Sequence, residues 1–485
     1  MNCTVHSFRL DGISAEHVRV VVAVAAGIPG LTIDDLPDAA IRESRERVRA
    51  AILNSGFEYP LAAIRVRLWP ERRRAVSPAL DLALVAAILG ASGQVELPAR
   101  TALVGEVRLD GTVFAVPGTI PIAEKAREHY IDKLVVPAAN AMEAGLIDEV
   151  GTVPLENVAQ LGGLAAGHWP TPPASPRLAV DPPESAPDLA DLRGRPGLRR
   201  ALEVAAAGGH GLLMVGPPGA GISLAACRIP SILPPMRPDE ALDVARVASA
   251  TGQLPGGLLP VGRPFRAPHF AISEAGLVGG GIPARPGEIT LAHREVLFLD
   301  EIGEFRRETI EALRAPLRKG EVVIGRGAED RIFPSRFLLV AAWRSPSGDE
   351  ESGDDLATAV DLLERRAGAV ADAFDIRIAV APPATEIAGP AGESSAVVRE
   401  RVVAARRLAE VRLGDGRGNA EMGRLEIRRL HLDGPATSSL AAHQARLPIS
   451  DRGVDSILKV ARTVADLDEA ATISRSHIET ALSLH

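Results

Sequence analysis

The sequence predicts a multidomain α/β chain, and three observations carry that prediction. Its 485 residues exceed what one hydrophobic core usually organises, so roughly three domains are expected. Short apolar runs of strand character alternate with stretches of helical spacing up to residue 390, the pattern of a sheet with crossover helices. Beyond that point strand-like runs vanish and helical spacing dominates.

Residues 1–167 read as a first α/β domain. Segments 18–24, 64–68 and 134–136 have strand character, and 39–54 and 80–89 carry helical spacing. Asn54-Ser55-Gly56 supplies a helix stop, and the turns Asp110-Gly111 and Pro117-Gly118 punctuate a hairpin region. Ser77 reads as a cap for the helix that follows. Residues 168–190 hold a run of prolines that neither continues a helix nor pairs inside a sheet, so they form a semi-rigid linker. Residues 191–388 form a second α/β domain. A helix over 197–207 precedes a buried strand at 211–215, and further strands lie at 296–299 and 337–342. Residues 389–485 form a helical domain, with its clearest helices over 394–413 and 451–467.

Composition excludes several classes. Hydrophobic residues at 46% and charged residues at 24% are ordinary for globular proteins and rule out a fibrous or largely disordered chain. A formal net charge of −8 leaves no whole-surface basic field for nucleic acid, so any such contact must be local. Cys3 and Cys227 alone support neither a disulfide framework nor a cysteine zinc cluster. The opening residues lack a secretory pattern, and the longest apolar stretches fit core helices better than spans of about 20 residues. A soluble cytoplasmic protein with no membrane partner is expected.

Two motifs carry chemistry. Gly216-Pro217-Pro218-Gly219-Ala220-Gly221-Ile222-Ser223 follows a strand and precedes a helix. It matches a phosphate-cradling loop everywhere except at the lysine, which Ile222 replaces. Glycines let backbone N–H groups turn toward phosphate, the helix start adds partial positive charge, and Ser223 stands where a Mg2+-ligating hydroxyl belongs. The second motif is the apolar run 296–299 ending in Asp300-Glu301, where the Asp serves Mg2+ and the Glu polarises an attacking water. Either motif alone is also a common strand end or turn; both, in this order, point to a nucleotide-site ancestry. The only lysines are Lys125, Lys133, Lys319 and Lys459, so no shift of register supplies the missing one, and Arg228 lies too far along its helix. ATP and Mg2+ are therefore expected to bind weakly. Loss of one charged hydrogen bond costs about 1.5–3 kcal/mol, and more is lost where charge develops in a transition state.

Together with Arg263-Pro264-Phe265-Arg266-Ala267-Pro268-His269 and the segments 191–194, 200–210, 273–281 and 285–293, these motifs resemble the magnesium-chelatase-like AAA+ proteins of the ComM/YifB group. The resemblance extends upstream through 36–56 and downstream through 458–467. It implies a Lon-protease-like (ribosomal S5 domain 2-like) α/β domain, a P-loop AAA+ parallel-sheet core and a C-terminal helical lid. It also implies hexameric rings and, for the ComM branch, ATP-driven DNA branch migration in transformation. Departures from the family pattern fall at catalytic positions. Ile222 replaces the loop lysine, Arg344 replaces a water-orienting asparagine, and Ala373 stands where the trans-acting arginine finger belongs. Arg452 matches the lid's sensor arginine. Ser77 falls near the protease nucleophile position, but 116–121 hold no lysine base and Lys125 lies about a turn too late, so no protease is expected.

These features make a degenerate AAA+ module, with Glu301 catalytic if the protein is active. Two functional readings follow: a ComM/YifB-type protein binding Mg2+-ATP and DNA with weak hydrolysis, or a dead pseudo-ATPase serving as an interaction subunit, as a homo-hexamer or beside an active paralogue. Arg318, Lys319, Arg326 and Arg331 surround the expected hairpin at 321–324 and 331–333, where local charge suits DNA. The same arginines equally suit pairing with Glu321, Glu329 and Asp330 on a solvated hairpin.

Overall fold

The computed structural model describes residues 1–34, 38–70, 77–170, 187–254, 263, 265–281, 284–294, 296–325, 330–344, 352–381, 392–414, 416–446 and 450–485. Most of the linker expected at 168–190, and Arg326, lie outside these residues. The chain divides into two compact units, Met1–Val180 with Pro238–Val261, and Asp181–Arg237 with Gly262–His485.

In the first unit, β1 (Asn2–Asp11), β2 (Ser14–Ala25), β3 (Gly30–Ile33), β4 (Ala63–Trp69), β5 (Thr101–Leu103), β8 (Lys133–Pro137) and β9 (Gly151–Leu155) form one mixed sheet of order β3-β4-β2-β1-β5-β8-β9. The β6–β7 hairpin (Glu106–Val107 and Val113–Phe114) stands apart. Alternation sets the faces: Val18, Val20 and Val22 are buried while Arg19 between them is exposed. The helix Asp81–Ala91 is apolar all round from Leu82 to Leu89, and it is buried all round. Asp110-Gly111 makes the β6–β7 turn, with Gly111 at φ 84° and the Thr112 N–H donating to Asp110 Oδ1 at 2.9 Å.

Two expectations need correction. Pro117-Gly118 is not a hairpin turn; Gly118, at φ 83°, is the N-cap of the helix Thr119–Glu128. Ser77 precedes a 3-10 turn, Pro78–Leu80, and its side chain makes no capping bond. Pro78 has no N–H to cap, and the α-helix begins only at Asp81 with Leu80 in the cap position.

The segment Pro238–Val261, read from sequence as part of the second α/β domain, belongs to the first unit. Its helix Pro238–Ala250 places Ala245 in a core with Ile120, Ala123 and Leu134. Arg246 donates to both oxygens of Glu124, from Nε at 2.8 Å and from Nη2 at 2.7 Å, and Ser249 donates to Glu143.

Asp81 is buried against the helix Asp38–Asn54. Ser44 Oγ donates to its Oδ1 at 2.6 Å and Arg47 Nε to its Oδ2 at 2.9 Å. Burial pushes its carboxyl up to about 6 despite the pull of Ser44 and Arg47. A raised folded-state pKa contributes stability that is full below the unfolded value and lost as pH rises through about 6. That loss is about 2 kcal/mol between pH 4 and pH 7. Asp81→Asn should flatten that slope in urea unfolding of this unit; an unchanged slope would refute the assignment.

The second unit is built on β10 (Leu212–Gly216), β11 (Phe265–Arg266), β14 (Val296–Leu299), β17 (Leu338–Arg344) and β18 (Ile376–Ala379), all parallel in the order β11-β14-β17-β10-β18. Two small antiparallel pairs accompany it, β12–β13 (Gly279–Gly280 and Arg285–Pro286) and β15–β16 (Glu321–Ile324 and Arg331–Pro334). The buried apolar runs at 212–215 and 296–299 are those of a strand covered on both faces. The C-terminal region is helical, and its helices Ser395–Leu413, Asp451–Leu467 and Arg475–Ser483 lie in the same unit as the sheet.

A buried polar network joins them. His210 bonds Asp375 Oδ2 through Nδ1 at 2.8 Å and Thr463 Oγ1 through Nε2 at 2.7 Å, and Ser456 Oγ donates to Asp375 Oδ1 at 2.7 Å. The hydroxyl–imidazole–carboxylate order is that of a hydrolase triad, but His210 and Thr463 are 0% exposed, so it is a structural tie.

Candidate nucleotide-binding site

Parallel strands place their C-terminal ends on one edge, where ligands of open α/β sheets bind. Here β10, β14 and β17 end together: Gly216 is the register partner of Arg344, and Leu299, just before Asp300, is the partner of Ala341. The loop 216–223 leaves β10 at that edge. Gly216 must be glycine, because a Cβ there would lie 2.4 Å from the Val380 carbonyl oxygen. Gly219 and Gly221 adopt φ of 83° and 73°, which glycine takes without strain. The helix Ile222–Ala226 has only five residues, so its dipole adds little and the loop backbone itself must supply the donors.

A cavity of about 230 Å³ opens here, lined by the whole loop from Gly216 to Leu224, by Asp300 and Glu301, and by Ala342, Trp343 and Arg344. Ser223 Oγ donates to Asp300 Oδ2 at 3.0 Å, so the structure brings together the two residues expected to serve Mg2+. Ile222 is 8% exposed and packs in the apolar core with Leu212 and Val380. Arg344 is the sole cation among the lining residues, and it forms a close ion pair with Glu301. Glu301 itself sits at φ 53°, a left-handed conformation that costs a non-glycine residue about 1–3 kcal/mol and is held by its surroundings. Arg366 donates to the carbonyls of Gly303 and Phe305, and Trp343 packs beneath Gly303, fixing the turn that follows Glu301.

Other expected residues fall elsewhere. Arg452, in the first turn of the helix Asp451–Leu467, pairs with Asp372 and is not among the lining residues. Arg228 donates to the Asp188 carbonyl and to Asp191, as its distance along the helix implies. The expected hairpin forms as β15–β16. Arg318 and Lys319 are exposed at the end of the helix Arg314–Lys319, and half-buried Arg331 opens β16 opposite Ile324. Lys125 pairs with Glu128.

One contact was not anticipated. Arg195 donates from Nη1 to the Ala220 carbonyl and lines a neighbouring cavity of about 590 Å³ with Arg199, Glu203 and Arg401. The only local signal was Arg195-Pro196, since a residue before proline stays out of the helix and is free to reach away.

Three family models match along the chain: magnesium chelatase subunit ChlI over residues 188–387, subunit ChlI of Mg-chelatase over 20–140, and the ChlI C-terminal region over 392–485. The protein YifB of Escherichia coli, itself uncharacterised, is 36% identical over 99% of this chain and 96% of its own length. The competence protein ComM of Haemophilus influenzae is 35% identical over 99% and 96%. The chain belongs to the ComM/YifB family of magnesium-chelatase-like proteins. An uncharacterised protein of Mycobacterium tuberculosis is 37% identical over 98% of this chain and 97% of its own. The parallel-sheet core followed by a helical region is consistent with the AAA+ fold of this ComM/YifB family. Among the described residues no helix is long and apolar enough to cross a membrane.

Proposed function

We propose that this chain is a DNA-processing member of its family that binds a Mg2+-nucleoside triphosphate in the loop cavity and hydrolyses it weakly or not at all. The Ser223–Asp300 hydrogen bond carries the reading: two hard oxygen ligands meet beside a glycine loop at the C-terminal edge of a parallel sheet. Mg2+, when bound, neutralises phosphate charge. The loop backbone would hold the phosphates and Ser223 and Asp300 the ion. Glu301 would orient water, but Arg344 engages its carboxylate, Ile222 offers the phosphates no charge, and Ala373 offers no arginine to a neighbouring subunit. Membership of an AAA+ family supports assembly as a ring, as a homo-hexamer or beside an active paralogue.

Two measurements test the reading. Fluorescent ATP titrated into the full chain should bind only with Mg2+, and Ser223→Ala should weaken binding about tenfold or more. No binding under any condition would sink it in favour of an interaction subunit. For DNA, the competence name of the Haemophilus relative and the exposed Arg318 and Lys319 support the partner. Arg318→Ala with Lys319→Ala should weaken single-stranded DNA binding and lower the slope of log affinity against log salt by about 1.4. An unchanged slope would place DNA elsewhere.

A further inference from the structure

Resting on that nucleotide reading, we propose that Arg344 is the residue that receives the terminal phosphate of a bound nucleoside triphosphate, in place of the missing loop lysine, and that Glu301 is its competitor. Three observations converge. Arg344 stands beside the first residue of the loop, because parallel pairing of β10 and β17 sets it opposite Gly216. Of the residues lining the loop cavity it alone is cationic, while Ile222 turns into the core. Its Nη2 holds Glu301 Oε1, the carboxylate that follows Asp300, so the guanidinium lies next to the water-orienting position.

A guanidinium has five donors in a planar fork that fits phosphate oxygens in pairs. One Nη engages Glu301, and among the described residues the guanidinium has no other partner. The side chain is 59% exposed, so its ion pair is solvent-screened and open to exchange with an incoming phosphate. Binding then pits carboxylate against phosphate for one cation. A triphosphate reaches Arg344; a diphosphate, one phosphate shorter, does not. In the unliganded chain the same contact holds Glu301 away from water, and a triphosphate that takes the guanidinium releases the carboxylate.

The test is equilibrium titration of the full chain with ribose-labelled fluorescent ATP and ADP in the presence of MgCl2. Arg344→Ala should weaken ATP binding about ten- to hundredfold and ADP binding by less than about threefold. Arg344→Lys should fall between wild type and Arg344→Ala, and Glu301→Gln should tighten ATP binding. The ratio of ATP to ADP affinity is the deciding readout, since a misfolded fraction lowers both signals alike. Equal losses for the two nucleotides, or an Arg344→Ala protein that binds ATP as wild type does, would overturn the assignment while leaving the site standing. Wild-type protein that binds neither nucleotide would overturn the site itself.

Discussion

Replacing Ile222 by lysine and Arg344 by asparagine in one chain is expected to raise ATP hydrolysis at least about a hundredfold over wild type. The magnitude follows from what one preorganised donor contributes at a developing charge, about 10²–10³ in kcat. Ile222 lines the cavity while its side chain packs inward. A lysine there has to leave the apolar path, laying its stem along the loop and its ammonium toward the opening, because a charge is too costly to bury in that core. Asparagine at 344 releases Glu301 from its ion pair and restores a side chain able to orient water. Ile222→Lys alone should gain far less, because the carboxylate stays engaged. Adding Ala373→Arg should multiply the rate again, but only where subunits assemble, since a trans-acting arginine contributes about 10³–10⁵. Steady-state phosphate release with Mg2+ checks each step, with thermal melts to confirm folding. A folded double variant no faster than wild type would mean that the defect lies outside these two positions.

What the sequence revealed, and what it concealed, follows from the range of the interactions. Buried strand runs and the glycine loop are local signals, and the cavity formed where Gly216–Ser223 and Asp300-Glu301 placed it. Arg344 was visible only as a substitution. Its partnership with Glu301 depends on the register between β10, β14 and β17, which no single segment encodes. The helix Pro238–Ala250 carries an ordinary amphipathic pattern that does not say which core it completes; Arg246 and Ser249 disclose that only through Glu124 and Glu143. Pro117-Gly118 misled because the same dipeptide serves a turn or a helix start equally well. The corrected elements all concern which partner a local motif meets.

The largest stability effect is expected at His210, where a long-range contact does what no local pattern announces. Its imidazole ties Asp375, just ahead of β18, to Thr463 on the helix Asp451–Leu467, and Asn419 extends the network by donating to Thr463 at 3.0 Å and to Asp466 at 2.8 Å. Burial alone would raise the Asp375 carboxyl, yet His210, then Lys459 and Ser456, hold it below the ordinary carboxylate range. A depressed carboxylate contributes stability above its unfolded pKa and loses it as pH falls through the folded value. His210→Ala removes the imidazole partner and leaves a buried carboxylate bonded by Ser456 alone, a loss of about 1–3 kcal/mol at neutral pH. The deficit should shrink toward pH 4, where the variant's Asp375 accepts a proton and no longer has to be buried as an anion. Adding Asp375→Asn to His210→Ala should recover part of it for the same reason. Chemical denaturation at pH 7 and pH 4.5 reads both effects in the second unit's transition. A pH-independent loss, or no recovery in the double variant, would show that His210 acts by filling space and not by bonding the Asp375 carboxylate. If the charge account holds, the helical region and the parallel sheet unfold as one cooperative body, and the nucleotide loop shares its stability with a network that it does not touch.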